Sequence, residues 1–190
     1  MPGQRAAFAS WQRAWAYQSE ETLWTDTLKK NPNCWFGYNH LGAVFDQKGQ
    51  IDQSILCYRK SVEIKPDNFF GQDALSSELQ RKGQFEEAVI HSQKAVELGP
   101  DFAEARNNLG LALAQNGQLD EAITQFQNAL EMALEIDPKR SDFHNNLGNA
   151  FLKAGQVSNA IDEFEMALQI NPHNAQAQQN LTLARSILLQ

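Results

Sequence analysis

The sequence predicts an all-α solenoid of antiparallel helix pairs. The evidence is two series of regularly spaced residues, prolines and Gly-Gln pairs, and apolar residues that recur with the period of a helix. Prolines recur at spacings of 34, 34, 38 and 34, at Pro32, Pro66, Pro100, Pro138 and Pro172. A Gly-Gln pair recurs at spacings of 34, 34 and 38, beginning at Gly49, Gly83, Gly117 and Gly155. Between these prolines and Gly-Gln pairs, apolar residues fall at i, i+3, i+4 and i+7, which puts one apolar stripe on each helix. No segment alternates with period two, so no strand is predicted.

The repeated prolines, glycines and polar residues each have a physical role at a helix end. A proline cannot continue the helix before it, so each second helix is predicted to end just before one. The glycine of each Gly-Gln pair is predicted to end the first helix, because glycine adopts the left-handed conformation most easily. Acidic or small polar residues open the second helices, where they suit the positive end of the helix dipole: Asp52, Glu86, Asp120 and Ser158.

A third ladder lies inside the first helices. Leu-Gly pairs recur with their glycines at Gly42, Gly110 and Gly148, although a mid-helix glycine costs about 1 kcal/mol relative to alanine. Because this destabilising glycine recurs at the same position of three repeats, we infer that a second helix approaches closely there. We expect the small partners on the second helices to be Ala88, Ala122 and Ala160.

Together these ladders resemble the tetratricopeptide repeat (TPR) family. The shared pattern runs Leu-Gly, an aromatic residue or leucine, Gly-Gln, alanine, an aromatic residue, alanine and proline. The resemblance implies a right-handed superhelical solenoid that forms a single TPR domain over residues 1–190. Its predicted parts are a degenerate repeat at 1–34, full repeats at 35–68, 69–102, 103–140 and 141–174, and a capping helix at 175–190.

The repeat at 103–140 carries four extra residues. The run Ala129-Leu130-Glu131-Met132 is followed by Ala133-Leu134-Glu135-Ile136, which has the form of a tandem duplication. Four helical residues turn by roughly 400°, so the apolar stripe drifts by only about 40°. We therefore predict one extra turn on the second helix of this repeat rather than a loop.

In TPR proteins the first helix of each pair lines a concave groove, and the register assigns the groove positions here. From the successive repeats they are Phe36, Asn39, His40, Ala43 and Gln47; Phe70, Asp73, Ala74, Ser77 and Arg81; Glu104, Asn107, Asn108, Leu111 and Gln115; and Asp142, Asn145, Asn146, Asn149 and Lys153. The residues predicted to bind a peptide are Asn39, His40, Asp73, Arg81, Asn107, Asn108, Asn145, Asn146, Asn149, Lys153 and, in the capping helix, Asn180.

The asparagines at Asn108, Asn146 and Asn180 form a series in phase with the repeat. A side-chain amide both donates and accepts hydrogen bonds, so such a series can pair with successive peptide groups of an extended ligand. It resembles the asparagine ladder of some long TPR superhelices, which grips peptide backbone. The alternative is that asparagine is simply a soluble groove residue. His40 and Ala74 interrupt the series, which places any such grip in the C-terminal half.

Composition and motifs argue against several other functions. The net charge is −7 and no Lys/Arg cluster offsets it, so nucleic acid is not a predicted partner. No histidine has a second histidine or cysteine at i+3 or i+4, which argues against a metal site. The nucleophile, phosphate-loop and dinucleotide motifs are missing, so we predict neither an enzyme nor a cofactor. Glu104 and Asp142 occupy groove positions that are basic in the TPR domains that clamp carboxylate termini, so that mode is not predicted either.

The leading functional hypothesis is an interaction scaffold that binds an extended peptide or partner protein in the groove. A second hypothesis is an accessory domain that presents substrate or partner to a larger enzyme. The stretch from Ser19 to Trp24 resembles the start of the soluble TPR tail of some glycosyltransferase-type membrane proteins, so contact with a membrane would come only through a part preceding this sequence. A third hypothesis is self-assembly through Phe69, Phe70 and the tryptophan-rich N-terminal end, which carries Trp11, Trp15, Trp24 and Trp35. The sequence leaves the compartment open between cytoplasm and periplasm or lumen.

Overall fold

The computed structural model describes residues 19–136 and 140–189, with only the backbone of residues 134–136. Trp11 and Trp15 lie outside the described residues. Ten α-helices and no strand occur in the described part: α1 Glu20–Lys30, α2 Trp35–Gln47, α3 Ile51–Ile64, α4 Phe69–Arg81, α5 Phe85–Leu98, α6 Ala103–Gln115, α7 Leu119–Ile136, α8 Ser141–Lys153, α9 Val157–Ile170 and α10 Ala175–Leu188. The all-α class is confirmed.

The chain divides into two compact units, residues 1–82 and residues 83–190. In unit 1, α1 packs on α2, α2 on α3 and α3 on α4, and the first helices α2 and α4 also touch. In unit 2, each helix from α5 to α10 packs on the next, and the first helices α6, α8 and α10 touch in turn. The short links within each pair require neighbouring helices to run antiparallel.

The glycine of each Gly-Gln pair has a left-handed backbone, with φ of 69° at Gly49 and 78° at Gly155. The turn closes with two bonds back into the helix. Gly49 N donates to Asp46 O at 2.8 Å, and Gln50 N donates to Phe45 O at 2.9 Å. These bonds satisfy carbonyls that a helix end would otherwise leave without a partner. The predicted role of these glycines is confirmed.

The mid-helix glycines make room for aromatic rings of the second helices. A Cβ on Gly110 would lie 2.7 Å from the ring of Phe126, and one on Gly148 would lie 2.6 Å from the ring of Phe164. At Gly42 the ring of Tyr58 lies at 2.8 Å. Ala88, Ala122 and Ala160, which we expected to be the small partners on the second helices, are all fully buried, and their contact with the first helices stays a prediction.

The predicted extra turn is confirmed in α7, which has 18 residues where α3, α5 and α9 each have 14. Ala129 and Ala133 lie four residues apart and share one buried cluster with Ala103 and Phe143. A spacing of four residues keeps both alanines on nearly the same helix face. The added turn therefore extends the existing apolar stripe toward α8.

The two cysteines differ in exposure, and we expect them to differ in reactivity. Cys57 is buried, and burial raises the pKa of its thiol to about 11. Cys34 is half-buried at the start of α2, where its Sγ accepts a bond from Gly37 N at 3.4 Å.

Because the thiolate is the reactive species, a disulfide reagent at pH 8 should modify Cys34 in the folded chain and Cys57 only on unfolding. Absorbance from the released thiol measures this, with Cys34→Ser as the control that should leave the folded chain unreactive. Equal modification rates for both thiols in the folded chain would show that Cys57 is not protected.

Candidate functional site

The first helices of unit 2, together with one side chain of the second helix α7, line a cleft of about 320 Å³. Phe126 of α7 and Ala150 of α8 contribute to its apolar lining, and Leu111 and Ala114 of α6 add to it. Its polar lining is Gln115, Asn146, Asn149, Lys153 and Gln176. Five of the predicted groove residues therefore line one cleft: Leu111, Gln115, Asn146, Asn149 and Lys153.

Two predicted site residues are buried rather than exposed on the groove. Asn107 in α6 is 6% exposed and Asn145 in α8 is 4% exposed. Each accepts a hydrogen bond from the next first helix along the chain. Asn146 Nδ2 donates to Asn107 Oδ1 at 3.0 Å, and Asn180 Nδ2 donates to Asn145 Oδ1 at 3.0 Å. Asn107 and Asn145 thus fix the amides of the neighbouring asparagines.

The supported asparagines remain accessible. Asn146 and Asn180 are half-buried, and each amide has a second N–H and a carbonyl oxygen beyond the bond just described. In the described part of the chain these two amides make no other hydrogen bond. Asn108 and Asn149 are also half-buried, and Lys153 is exposed. The amide-to-amide hydrogen bond thus occurs twice, between α6 and α8 and between α8 and α10, and each time the donor asparagine stays accessible.

Unit 1 contains a second cleft, of about 500 Å³, between α2 and α4. Three predicted site residues line it, namely Asn39, His40 and Asp73. The remaining lining is mainly aromatic or small: Trp35, Phe36, Ala43, Tyr58, Phe70 and Ala74. Phe36 and Phe70 were predicted to line the groove. Trp35 and Tyr58 were not, because they belong to helix faces that periodicity assigns to helix packing.

Asn39 is held in unit 1 by a different route from the asparagines of unit 2. Asn68 Nδ2 donates to Asn39 Oδ1 at 3.1 Å and to Ser61 Oγ at 2.9 Å. Ser61 Oγ in turn donates to Trp35 O at 2.9 Å. Asn68 is buried and precedes α4, so this network ties the starts of α2 and α4 to the end of α3.

Arg81 does not line the cleft of unit 1. Its guanidinium pairs with Asp46 and donates to Glu78 Oε1 at 2.7 Å. Burial raises the pKa of Glu78, whereas the bond from Arg81 acts in the opposite direction. Arg81 therefore compensates a buried carboxylate instead of facing the cleft.

Two further observations concern only the described residues. Their helices include none with the length and apolarity that crossing a membrane requires. Their histidine, cysteine, aspartate and glutamate side chains include no group of three arranged to hold a metal ion.

Comparison with known families explains the repeated geometry. Three family models match: "Tetratricopeptide repeat" at residues 101–172, "TPR repeat" at 78–117 and a second "Tetratricopeptide repeat" model at 37–68. Together they run from residue 37 to residue 172, with only 69–77 between the matched stretches. The chain belongs to the tetratricopeptide repeat family. As a member it is a protein-interaction scaffold in the general sense, with a fold that is typically non-catalytic.

Solved structures show the same fold. A MamA fragment from Desulfovibrio magneticus RS-1 matches with a TM-score of 0.74 and 20% identity, covering 86% of this chain and 92% of that one. PilF of Pseudomonas aeruginosa matches with a TM-score of 0.70 and 25% identity, covering 79% and 67%. A chain of the APC/C hetero-tetramer Cut9–Hcn1 matches with a TM-score of 0.71 and 20% identity, covering 86% of this chain but only 32% of that one. No curated protein matches the sequence.

Proposed function

We propose that unit 2 binds an extended segment of a partner protein, and that Asn146 and Asn180 hold the backbone of that segment. The single observation that carries this proposal is the repeated amide bond, Asn146 to Asn107 and Asn180 to Asn145, each 3.0 Å long. A peptide backbone offers one N–H and one C=O per residue. Each supported amide can offer a complementary N–H and C=O in return.

Support from a buried neighbour makes the amides effective ligand groups. A side chain that is ordered only on binding loses rotamer freedom, which costs roughly 0.5–1.5 kcal/mol. Asn146 and Asn180 already have one N–H committed to the scaffold, so part of that cost falls on folding instead of binding. The buried partners also determine which way each amide points.

The charges of unit 2 favour backbone recognition over recognition of an acidic tail. Arg140 is engaged by two carboxylates, since its Nη1 lies 2.6 Å from Glu104 Oε1 and its Nη2 lies 2.9 Å from Asp142 Oδ2. Lys153 is the basic residue in the described lining of the unit 2 cleft. One exposed lysine is a poor match for several carboxylates, whereas neutral amides bind a peptide group regardless of its side chains.

The proposal is tested with peptides selected from a random displayed library by the purified 190-residue chain. Calorimetry then measures the Kd of one synthetic selected peptide for the parent and for variants. Loss of one uncharged hydrogen bond costs about 1 kcal/mol. Asn146→Ala and Asn180→Ala should therefore each weaken binding about fivefold. The double variant should weaken it about thirtyfold.

Asn159→Ala is the matched control, because Asn159 is exposed on α9 and donates to Oε1 of Gln156, the residue just before that helix. It should leave the Kd unchanged. Circular dichroism checks that all variants remain helical. If the Asn146/Asn180 double variant binds every selected peptide as tightly as Asn159→Ala does, then the asparagine series is ordinary surface and the proposal is wrong.

A further inference from the structure

The unit 2 cleft has an apolar interior and a polar edge. Phe126 and Ala150 line it and are each 1% exposed, so they form its deepest part. Leu111 of the same lining is half-buried, whereas Gln115 and Lys153 are exposed. A ligand side chain that lies across this cleft therefore meets apolar atoms along its stem and polar groups at its end.

Lys153 lies on the same face of α8 as Asn146, the proposed backbone contact. Asn146, Asn149 and Lys153 follow each other at i, i+3 and i+7, and this spacing keeps residues on one helix face. All three line the cleft. Seven residues of helix rise by roughly 10 Å, a length that about three residues of extended chain span. A side chain of a segment held at Asn146 can therefore reach Lys153.

The positive charge of Lys153 belongs to one repeat only. Gln115 and Ile187 hold the equivalent positions in α6 and α10, so the cation does not recur along the groove. Lys153 is the exposed last residue of α8, and within the described ranges of the chain no carboxylate pairs with its ammonium. A single ammonium is matched by a single carboxylate of a ligand rather than by an acidic run.

The charges at the starts of α6 and α8 make the opposite end of the groove unsuitable for a carboxylate. Arg140 Nη1 lies 2.6 Å from Glu104 Oε1, and Arg140 Nε donates to Asp142 Oδ1 at 3.0 Å. About 16 Å of helix separates Asp142 from Lys153. A carboxylate of the ligand would meet two carboxylates at that end and an ammonium at this one, so electrostatics favours the Lys153 end.

We propose that the segment bound by unit 2 carries a glutamate whose carboxylate pairs with Lys153 while its CH₂ groups lie on Leu111 and Ala150. Aspartate has one CH₂ group fewer, so its carboxylate cannot reach the exposed edge with the same apolar contact. Leucine would make the apolar contact and leave the ammonium unpaired. A carboxylate only accepts hydrogen bonds, so the N–H groups of both Lys153 and Gln115 suit it. This inference rests on the proposed function and names the class of partner: an extended segment with one glutamate near the backbone group held at Asn146.

The test uses blocked heptapeptides of sequence Ser-Gly-Ala-X-Ala-Gly-Ser, with X as glutamate, glutamine, leucine or lysine. Glutamine has the shape of glutamate without its charge. Nuclear magnetic resonance titration of the labelled 190-residue chain gives the Kd and the residues that shift. We expect saturable shifts around Asn149 and Lys153 with the glutamate peptide, and binding about threefold weaker with glutamine. Raising the salt concentration should narrow this difference, because salt screens an exposed ion pair.

Variants of one lysine separate the charge from the rest of the cleft. Lys153→Gln should bring binding of the glutamate peptide down to the level of the glutamine peptide. Lys153→Glu should reverse the order, so that the lysine peptide binds more tightly than the glutamate peptide. The matched controls are Lys94→Gln and Lys94→Glu, which change an exposed lysine of unit 2 that pairs with Glu97 on α5. They make the same changes in net charge and should leave the order of the peptides as in the parent.

The outcomes distinguish this inference from the proposed function. Equal binding of the glutamate and glutamine peptides, tighter binding of leucine than glutamate, or no saturable shift in the cleft with glutamate would each overturn the inference. So would a glutamate preference that persists in Lys153→Gln. Asn146→Ala/Asn180→Ala should weaken the glutamate and glutamine peptides by the same factor. If it weakens neither while the response to Lys153 remains, then the backbone contacts are wrong and the glutamate contact stands.

Discussion

Replacing Phe164 with alanine is expected to lower the free energy of unfolding by about 3–5 kcal/mol. Phe164 lies on α9 with 0% of its surface exposed, and its ring covers Gly148 of α8. The substitution removes the ring and leaves a cavity between the two helices, so the transfer and cavity costs add. Urea unfolding followed by circular dichroism measures the change.

Met166→Ala is the control for this prediction. Met166 is on the same helix but 42% exposed, so its loss should change the free energy of unfolding by no more than about 0.5 kcal/mol. A result in which Phe164→Ala is as mild as Met166→Ala would mean that the α8–α9 interface does not depend on this ring.

Gly148→Ala is expected to lower the free energy of unfolding by about 1–3 kcal/mol, although it improves helix propensity. Alanine is the better helix former by about 1 kcal/mol, so an exposed helix position would be stabilised. At Gly148 the added Cβ would lie 2.6 Å from the Phe164 ring, which neither group can accommodate without moving. The steric cost outweighs the propensity gain. Urea unfolding of the parent and the variant checks the sign.

The same substitution in a Phe164→Ala background should have the opposite sign. With the ring removed, Gly148→Ala should stabilise by about 0.5–1 kcal/mol, because only the propensity gain remains. Thr182 of α10 occupies the position equivalent to Gly148, one 34-residue repeat later. Its side chain is exposed, so this position does not need a glycine when no ring covers it. If Gly148→Ala destabilises both backgrounds equally, the ring contact is not the reason for the glycine.

Features set by local geometry were predictable from the sequence. The left-handed turns at Gly49 and Gly155 follow from the conformational freedom of glycine, and a repeated Gly-Gln pair marks them without knowledge of the packing. The extra turn of α7 was predictable for a similar reason, since a four-residue insertion nearly preserves the helical phase. Both depend on residues close together in the chain.

Features set by packing between repeats were not predictable in the same way. The register marked both Asn145 and Asn146 as groove residues, yet Asn145 is buried while Asn146 is half-buried. Adjacent helix residues differ by about 100° in direction, and the exact rotation of α8 against α10 decides which of them meets Asn180. The aromatic neighbours of the mid-helix glycines were not predicted, because several buried residues lie on the same face of the second helix and the sequence does not show which of them faces the glycine.

The cleft of unit 1 illustrates a second limit on sequence reasoning. Phe36 and Phe70 are 34 residues apart, and both were assigned to the groove by register. Only the packing of α2 against α4 brings them to one cavity with Asp73. The asparagine series predicted peptide binding in the C-terminal half, whereas the larger of the two clefts described lies in unit 1.

The central claim is that supported asparagine amides hold the backbone of a bound peptide, and a backbone-modification scan tests it most directly. One selected peptide is prepared with each residue in turn changed to alanine, and separately with each backbone nitrogen methylated. Calorimetry measures every Kd against the parent chain and against Asn146→Ala/Asn180→Ala. We predict that N-methylation at particular positions weakens binding to the parent about fivefold or more, that these penalties shrink with the double variant, and that most alanine changes have smaller effects. Tolerance of N-methylation at every position, with affinity controlled by side chains alone, would contradict the claim.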